Sequence, residues 1–241
     1  MLPRTTTLAL LWACVACTTG ESRPSSAGAS SAQAVAAPAA SAASAAAPAA
    51  PATPAPGTDS LLDAADRGRI LGPESATVWL LMVSDFQCPF CKQWHDETFA
   101  AIKREYVDAG KIRMAYLNFP LSMHANAWPS AMTAMCASAQ GKFWATQDRL
   151  FQTQKTWEKL ADPTAYLDSL AIASGADPAK QRDCTKKRAL TSLIERDQLR
   201  MRQAGTQSTP TFFVGSRRIE GAYPADTFRK VIDSTLKAGR R

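Results

Sequence analysis

Apolar and polar positions along this chain fall into blocks of different period. Ala76 to Val83 is a nearly continuous apolar run, the pattern of a buried central strand, and it stops at Ser84-Asp85-Phe86-Gln87. From Cys88 to about Val107 the spacing becomes helical through Trp94, Phe99, Ile102 and Tyr106, with Pro89 placed where a first-turn proline is tolerated. Lys111 to Phe119 alternates as a second strand and ends at Pro120. Strand, helix and neighbouring strand form one βαβ unit.

From His124 to about Gln203 the pattern is helical throughout, with periodic segments at 126–139, 142–152, 163–173 and 178–202. Thr211 to Val214 then reads as a short strand, Gly215-Ser216 as a turn, Arg217 to Ile219 as another strand, and Pro224 to Lys237 as an amphipathic helix. These blocks predict an α/β, thioredoxin-like fold with an all-helical insertion, about 124–203, between a βαβ half and a ββα half. No internal repeat is present.

The first 57 residues lack this periodicity. Arg4 precedes a short apolar stretch containing Leu8-Ala9-Leu10-Leu11-Trp12, too short to span a bilayer as a mature helix but ordered like a secretory signal. Residues 1–17 are therefore expected to direct export. Leu11-Trp12-Ala13-Cys14 and Cys14-Val15-Ala16-Cys17 both resemble a lipobox, which makes Cys17, or alternatively Cys14, a candidate lipidation site and membrane anchor. Residues 18–57 are rich in Ala, Ser and Pro and carry few core-forming side chains, so a disordered tether is expected, with the folded domain at 58–241. The formal charge is +7; Arg4, Arg23 and Glu21 account for one positive charge of it. The remaining bias suits an anionic envelope surface, whereas dispersed cations without a base-reading motif argue against nucleic acid.

The chemistry concentrates in Cys88-Pro89-Phe90-Cys91. Two cysteines three apart at a helix start share a face and lie within disulfide reach. Cys88 faces free N–H groups and the positive helix end, which lower a thiol pKa, so it is expected to be the exposed nucleophile. Cys91, inside the first turn, is expected to be the shielded resolving thiol. Half of a zinc site would need two further ligands, and an inert disulfide is the other structural alternative. Neither a metal nor another cofactor is expected.

The runs Val83 to Cys91, Phe119-Pro120-Leu121 with His124 and Ala127, Gln140 to Trp144, Thr209 to Val214 and Gly221-Ala222 resemble the DsbA family of thioredoxin-fold proteins, over roughly residues 66–240. The resemblance implies a thiol-disulfide oxidoreductase in which Thr209-Pro210 is a cis peptide facing the cysteines. It also implies that Thr209, Pro210, Pro89 and Phe90 form a substrate-binding surface, where Thr209 pairs with an extended peptide by strand addition. Implied partners are unfolded or partly folded exported proteins with thiols, and a redox partner protein that resets the pair.

Two positions depart from the family pattern. Phe90 stands where related oxidases often carry His between the cysteines, which moderates the expected oxidising power. Met82 replaces an acidic residue six positions before the first Cys, so proton transfer from Cys91 must use water or another group. Asp85 reads chiefly as a loop or cap residue, His95 as packing or redox tuning, and His124 as structural. The tryptophans, Trp79, Trp94, Trp128 and Trp144 among them, read as core and groove wall.

Cys136 and Cys184 remain. An oxidising compartment favours their pairing, a pattern that some family members resemble, and buried free thiols are the alternative. The leading functional expectation is an exported oxidoreductase that forms or exchanges disulfides. A reductase or isomerase, a metal-handling lipoprotein and an idle peptide-binding module are its competitors. A monomer is expected, since an isomerase of this kind usually dimerises through an extra domain and none is visible.

Overall fold

The computed structural model describes residues 60–239. The expected signal, the tether and the candidate lipidation sites Cys14 and Cys17 lie outside the described residues.

The apolar run becomes β2 (Trp79–Ser84), the middle strand of a five-stranded sheet ordered β1-β3-β2-β4-β5. It lies parallel to β3 (Arg113–Asn118), with Met82 opposite Tyr116, and antiparallel to β4 (Thr211–Val214), with Met82 also opposite Phe212. A strand paired on both edges and covered on both faces needs apolar residues at nearly every position. β5 (Arg217–Glu220) extends the β4 side, and the two-residue β1 (Ile70–Leu71) pairs antiparallel with β3 on the other.

Between β2 and β3 the chain runs through α2 (Pro89–Trp94), a π-helical segment His95–Phe99, α3 (Ala100–Ile102) and a second π segment Lys103–Val107. The insertion consists of α4 (Ala127–Ser138), α5 (Phe143–Gln152), α6 (Gln154–Trp157), α7 (Thr164–Ala173), α8 (Pro178–Lys187) and α9 (Thr191–Gln203). α10 (Ala225–Ala238) follows β5 and packs on α3, the first π segment and β4. α4 is buried on almost all sides from Ser130 to Ser138 and touches α1 (Ser60–Gly68), α5, α7, α8 and α9. Its small residues Ala131, Ala134, Ala137 and Ser138 allow that central position. α1 crosses α4 so closely that a Cβ on Gly68 would lie 2.2 Å from the Ser138 carbonyl oxygen, while Ser138 Oγ donates 2.6 Å to the Ala65 carbonyl.

The structure shifts several sequence boundaries. The Ala76 amide bonds the Pro73 carbonyl in a turn, so the strand begins at Trp79 and not at Ala76. The Lys111 and Ile112 amides close the preceding helix onto the Tyr106 carbonyl, which delays β3 to Arg113. The segment expected as one helix over 178–202 breaks at Arg188, whose φ is 51°. The π segments, α1 and β1 were not expected.

The aromatic core joins the halves. Trp94 packs on Phe212 at 4.6 Å and on Phe228 at 5.5 Å, while Phe86 stacks on Tyr116 at 4.8 Å. Cys136 and Cys184 are disulfide-bonded, linking α4 to α8 with their Cα atoms 5.8 Å apart. Arg69 is buried between Asp66 and Asp197, and Asp197 also accepts the Asn118 amide and Nδ2, both at 3.0 Å. This network ties β1 and β3 to α9.

Candidate active site

Where β2 ends, the chain must turn from strand to helix without leaving backbone groups unpaired. Asp85 organises that turn with its side chain. The buried carboxylate accepts the Gln87 amide at 2.8 Å, the Leu121 amide at 2.9 Å and His124 Nδ1 at 2.7 Å. Burial raises the Asp85 pKa, and the bonds from Leu121, His124 and Gln87 oppose that rise. The loop after β2 is thereby fastened to the loop after β3.

Cys88 is the N-cap of α2, with extended φ −69° and ψ 124°, and Pro89 occupies the first turn. The N–H groups of this turn have no earlier carbonyl in the helix to bond, so their positive potential falls beside the Cys88 sulfur. The Cys88 thiol is pulled down from 9.0 to about 6, first by a hydrogen bond from the Cys91 thiol and against the effect of burial. The Thr209 side chain and the backbone N–H groups of Cys91 and Phe90 add to this. Cys91 moves the other way: burial, reinforced by Cys88, holds its pKa well above 9.0. Both thiols are free.

The expectation of an exposed Cys88 is corrected. Cys88 is 4% and Cys91 2% exposed, because the 209–210 loop lies over the pair. The Thr209-Pro210 peptide is cis, and the Thr209 carbonyl oxygen is 3.3 Å from Cys88 Sγ. Gly221 donates 2.8 Å to the Pro210 carbonyl, and Thr98 Oγ1 donates 3.1 Å to the Tyr223 carbonyl, which fixes the 221–223 segment against the cysteine helix. Phe90, Gln93, Ser208, Thr209, Gly221 and Tyr223 border an open groove of about 510 Å³. Phe90 and Tyr223 remain 60% and 49% exposed on its walls.

The structure thus brings Cys88, Pro89, Phe90, Cys91, Thr209 and Pro210 together. His95 stays outside this group, packed against Phe99 and Phe151. Burial pushes His95 down to about 4, so it is neutral at pH 7 and its 3.5 Å approach to Asp148 is not an ion pair there. Met82 is buried in the sheet, and Asp85 faces Cys91 Sγ with its backbone N–H, at 3.5 Å, and not with its carboxylate. Among the described residues no group of three or more His, Cys, Asp or Glu could hold a metal ion.

Sequence reasoning missed how the insertion grips this site. Gln154 Nε2, fully buried, donates 2.7 Å to the Phe86 carbonyl and 3.1 Å to the Cys88 carbonyl. Gln87 Oε1 accepts the Asn126 amide at 2.6 Å, and Asn126 Nδ2 bonds the carbonyls of Trp157, Glu158 and Leu160. No periodicity marks a lone glutamine as a loop clamp; only a polar residue inside the apolar face of α6 hints at it.

A helix-capping thiol of low pKa, a buried partner thiol one turn on and a cis-proline loop above them define a DsbA-like thiol-disulfide oxidoreductase with a thioredoxin-like fold. The thioredoxin family model matches residues 64–234, and the chain belongs to that family. It is 25% identical over 170 residues to "Probable disulfide bond formation protein D" of Bacillus anthracis, which covers 69% of this chain and 77% of the relative. Oxidised BdbD from Bacillus subtilis superposes with a TM-score of 0.64 at 23% identity, over 71% of this chain and 94% of that one. α-DsbA1 of Wolbachia pipientis superposes with a TM-score of 0.63 at 22% identity, over 70% and 91% of the two chains.

Proposed function

We propose that this protein forms or exchanges disulfides in exported proteins, with Cys88 as the attacking and leaving sulfur and Cys91 as the resolving one. In the oxidising direction a client thiolate attacks Cys88 Sγ of the Cys88–Cys91 disulfide. The S–S bond breaks, its electron pair goes to Cys91, and Cys91 takes up a proton. A second client thiolate then attacks the client sulfur of the mixed disulfide and expels Cys88 as a thiolate. The client leaves with one disulfide, and the dithiol is reoxidised by a redox partner protein.

The observation that carries this reading is a Cys88 thiolate of low pKa beneath an open groove at Thr209-Pro210. A low-pKa sulfur leaves readily, which drives the second step. The Thr209 main chain borders the groove as a strand edge for an extended client, and Phe90 and Tyr223 offer apolar contacts that do not demand one sequence. Thr209, Pro210, Pro89 and Phe90 are the proposed client-binding residues.

The location is the cell envelope, reached by the signal in residues 1–17 and held there by a lipid on Cys17 or Cys14 through the 18–57 tether. The Cys136–Cys184 disulfide favours an oxidising compartment. We take the working unit to be a monomer.

The test is the equilibrium of the Cys88–Cys91 pair with glutathione. A potential towards about −120 mV supports a disulfide donor, whereas one near about −270 mV marks a reductase and overturns the oxidising direction.

A further inference from the structure

The insertion carries a second, half-open cavity of about 560 Å³ that the dithiol chemistry does not use. Trp128, Pro129 and Met132 of α4 supply an apolar wall, and Lys186 and Arg188 at the end of α8 line the same space. Its volume is that of a small-molecule site. Lys187, between the two cations in sequence, is paired with Asp183 at 2.8 Å, whereas Lys186 and Arg188 have no ion-pair partner among the described residues. Thr185 Oγ1 on the wall is committed to Asp168 Oδ2 at 3.0 Å, and Gln181 Nε2 donates to Asp168 Oδ1, so that buried carboxyl is already served by its own neighbours.

Arg188 also stands out in its backbone conformation. Its φ of 51° makes it the one non-glycine residue with positive φ among the described residues. The position terminates α8: the Arg188 amide bonds the Thr185 carbonyl, and the Ala189 amide bonds that of Cys184. A helix end of this shape favours glycine, and an L side chain there is strained. That strained position carries an exposed cation on the rim of the cavity, a combination that a binding role for the side chain would explain. The Cys136–Cys184 disulfide joins the two walls, one turn after Met132 on α4 and one residue before Thr185 on α8.

We propose that this cavity binds an amphipathic monoanion, an apolar body carrying one carboxylate, with the body against Trp128, Pro129 and Met132 and the carboxylate on Lys186 and Arg188. The site is separate from the Cys88 groove and does not depend on the direction of the redox reaction.

Titration calorimetry of the full chain with decanoate, decanol and acetate tests it. Decanoate should bind saturably, decanol at least tenfold more weakly, and acetate not at all. Arg188→Gly should leave the urea midpoint unchanged or raise it, since glycine suits the left-handed backbone, while weakening decanoate about tenfold. Phe90→Ser should leave decanoate binding unchanged. Wild-type decanoate affinity in the Arg188→Gly, Lys186→Gln double variant, loss of binding in Phe90→Ser, or no saturable decanoate binding would each overturn the proposal.

Discussion

Cys88 Sγ lies 3.3 Å from the carbonyl oxygen of Thr209, a bond that only the protonated thiol can donate. Ionisation removes that donor and frees the Thr209 carbonyl to accept a client N–H. The Cys88 pKa is depressed on folding from 9.0 to about 6. The resulting stability of the reduced protein is fully present above pH 9.0 and is lost as pH falls through about 6. At pH 7 this depression is worth on the order of 1 kcal/mol. Iodoacetamide labelling of reduced protein should rise with a midpoint near pH 6, with Cys91 silent through that range; a midpoint near 9 would refute the assigned thiolate environment.

Gln154→Ala removes the donor shared by the Phe86 and Cys88 carbonyls; the Cys88 carbonyl keeps the Lys92 amide at 3.1 Å, whereas the Phe86 carbonyl loses its partner. The expected cost is about 1–3 kcal/mol of folding stability, with slower exchange through a looser nucleophile loop. Urea unfolding of both redox forms, compared with single-turnover oxidation of a dithiol peptide, checks it.

Asp85 has the opposite pH signature to Cys88. Burial raises its folded pKa above 3.8, so its ionised form weighs against the native state, and native stability from this group grows as pH falls through the raised pKa towards 3.8. Wild type should therefore gain on Asp85→Asn between pH 7 and pH 4 in urea midpoints. A difference that does not vary with pH would show that Asp85 does not titrate differently on folding.

Gly68→Ala should destabilise the domain by about 1–3 kcal/mol, the usual range for overpacking, because its Cβ would meet the Ser138 carbonyl first and the Ser138 hydroxyl next, and the backbone of α4 cannot swing aside. Thermal unfolding of the variant measures this, and the Cys88–Cys91 potential should not move.

Replacing Cys136 and Cys184 together by Ala releases a closure of sequence separation 48. On the chain-entropy model this costs about 4 kcal/mol. Denaturation of the double variant tests the figure, and its glutathione equilibrium at Cys88–Cys91 should match wild type.

The elements that carry periodicity were readable in the sequence, and those fixed by a single contact were not. β2 and β4 announce themselves because both faces are covered and apolar residues fill them. β1 has two residues and exists only because β3 offers an edge, so no period could reveal it. The π segments keep a helical apolar stripe, which leaves them indistinguishable from α-helix in sequence. The break at Arg188 was missed because Arg is a good helix former and the usual glycine signal was absent. At the site, the Cys-Pro-Phe-Cys spacing states its own chemistry, whereas Asp85, Gln154 and Asn126 act through backbone groups distant in sequence, as with Gln154 and Cys88, 66 residues apart.

Thr209 follows Cys88 by 121 residues, yet the two touch. A chain emerging N-terminus first therefore shows the world its thiols long before it owns the peptide that faces them. Until the 209–210 loop and β4 have joined β2, Cys88 lacks its Thr209 neighbour and an incoming strand has no main-chain edge to follow. The peptide that guides a client is thus contributed by the far end of the chain, and the thiol that reacts by the near one.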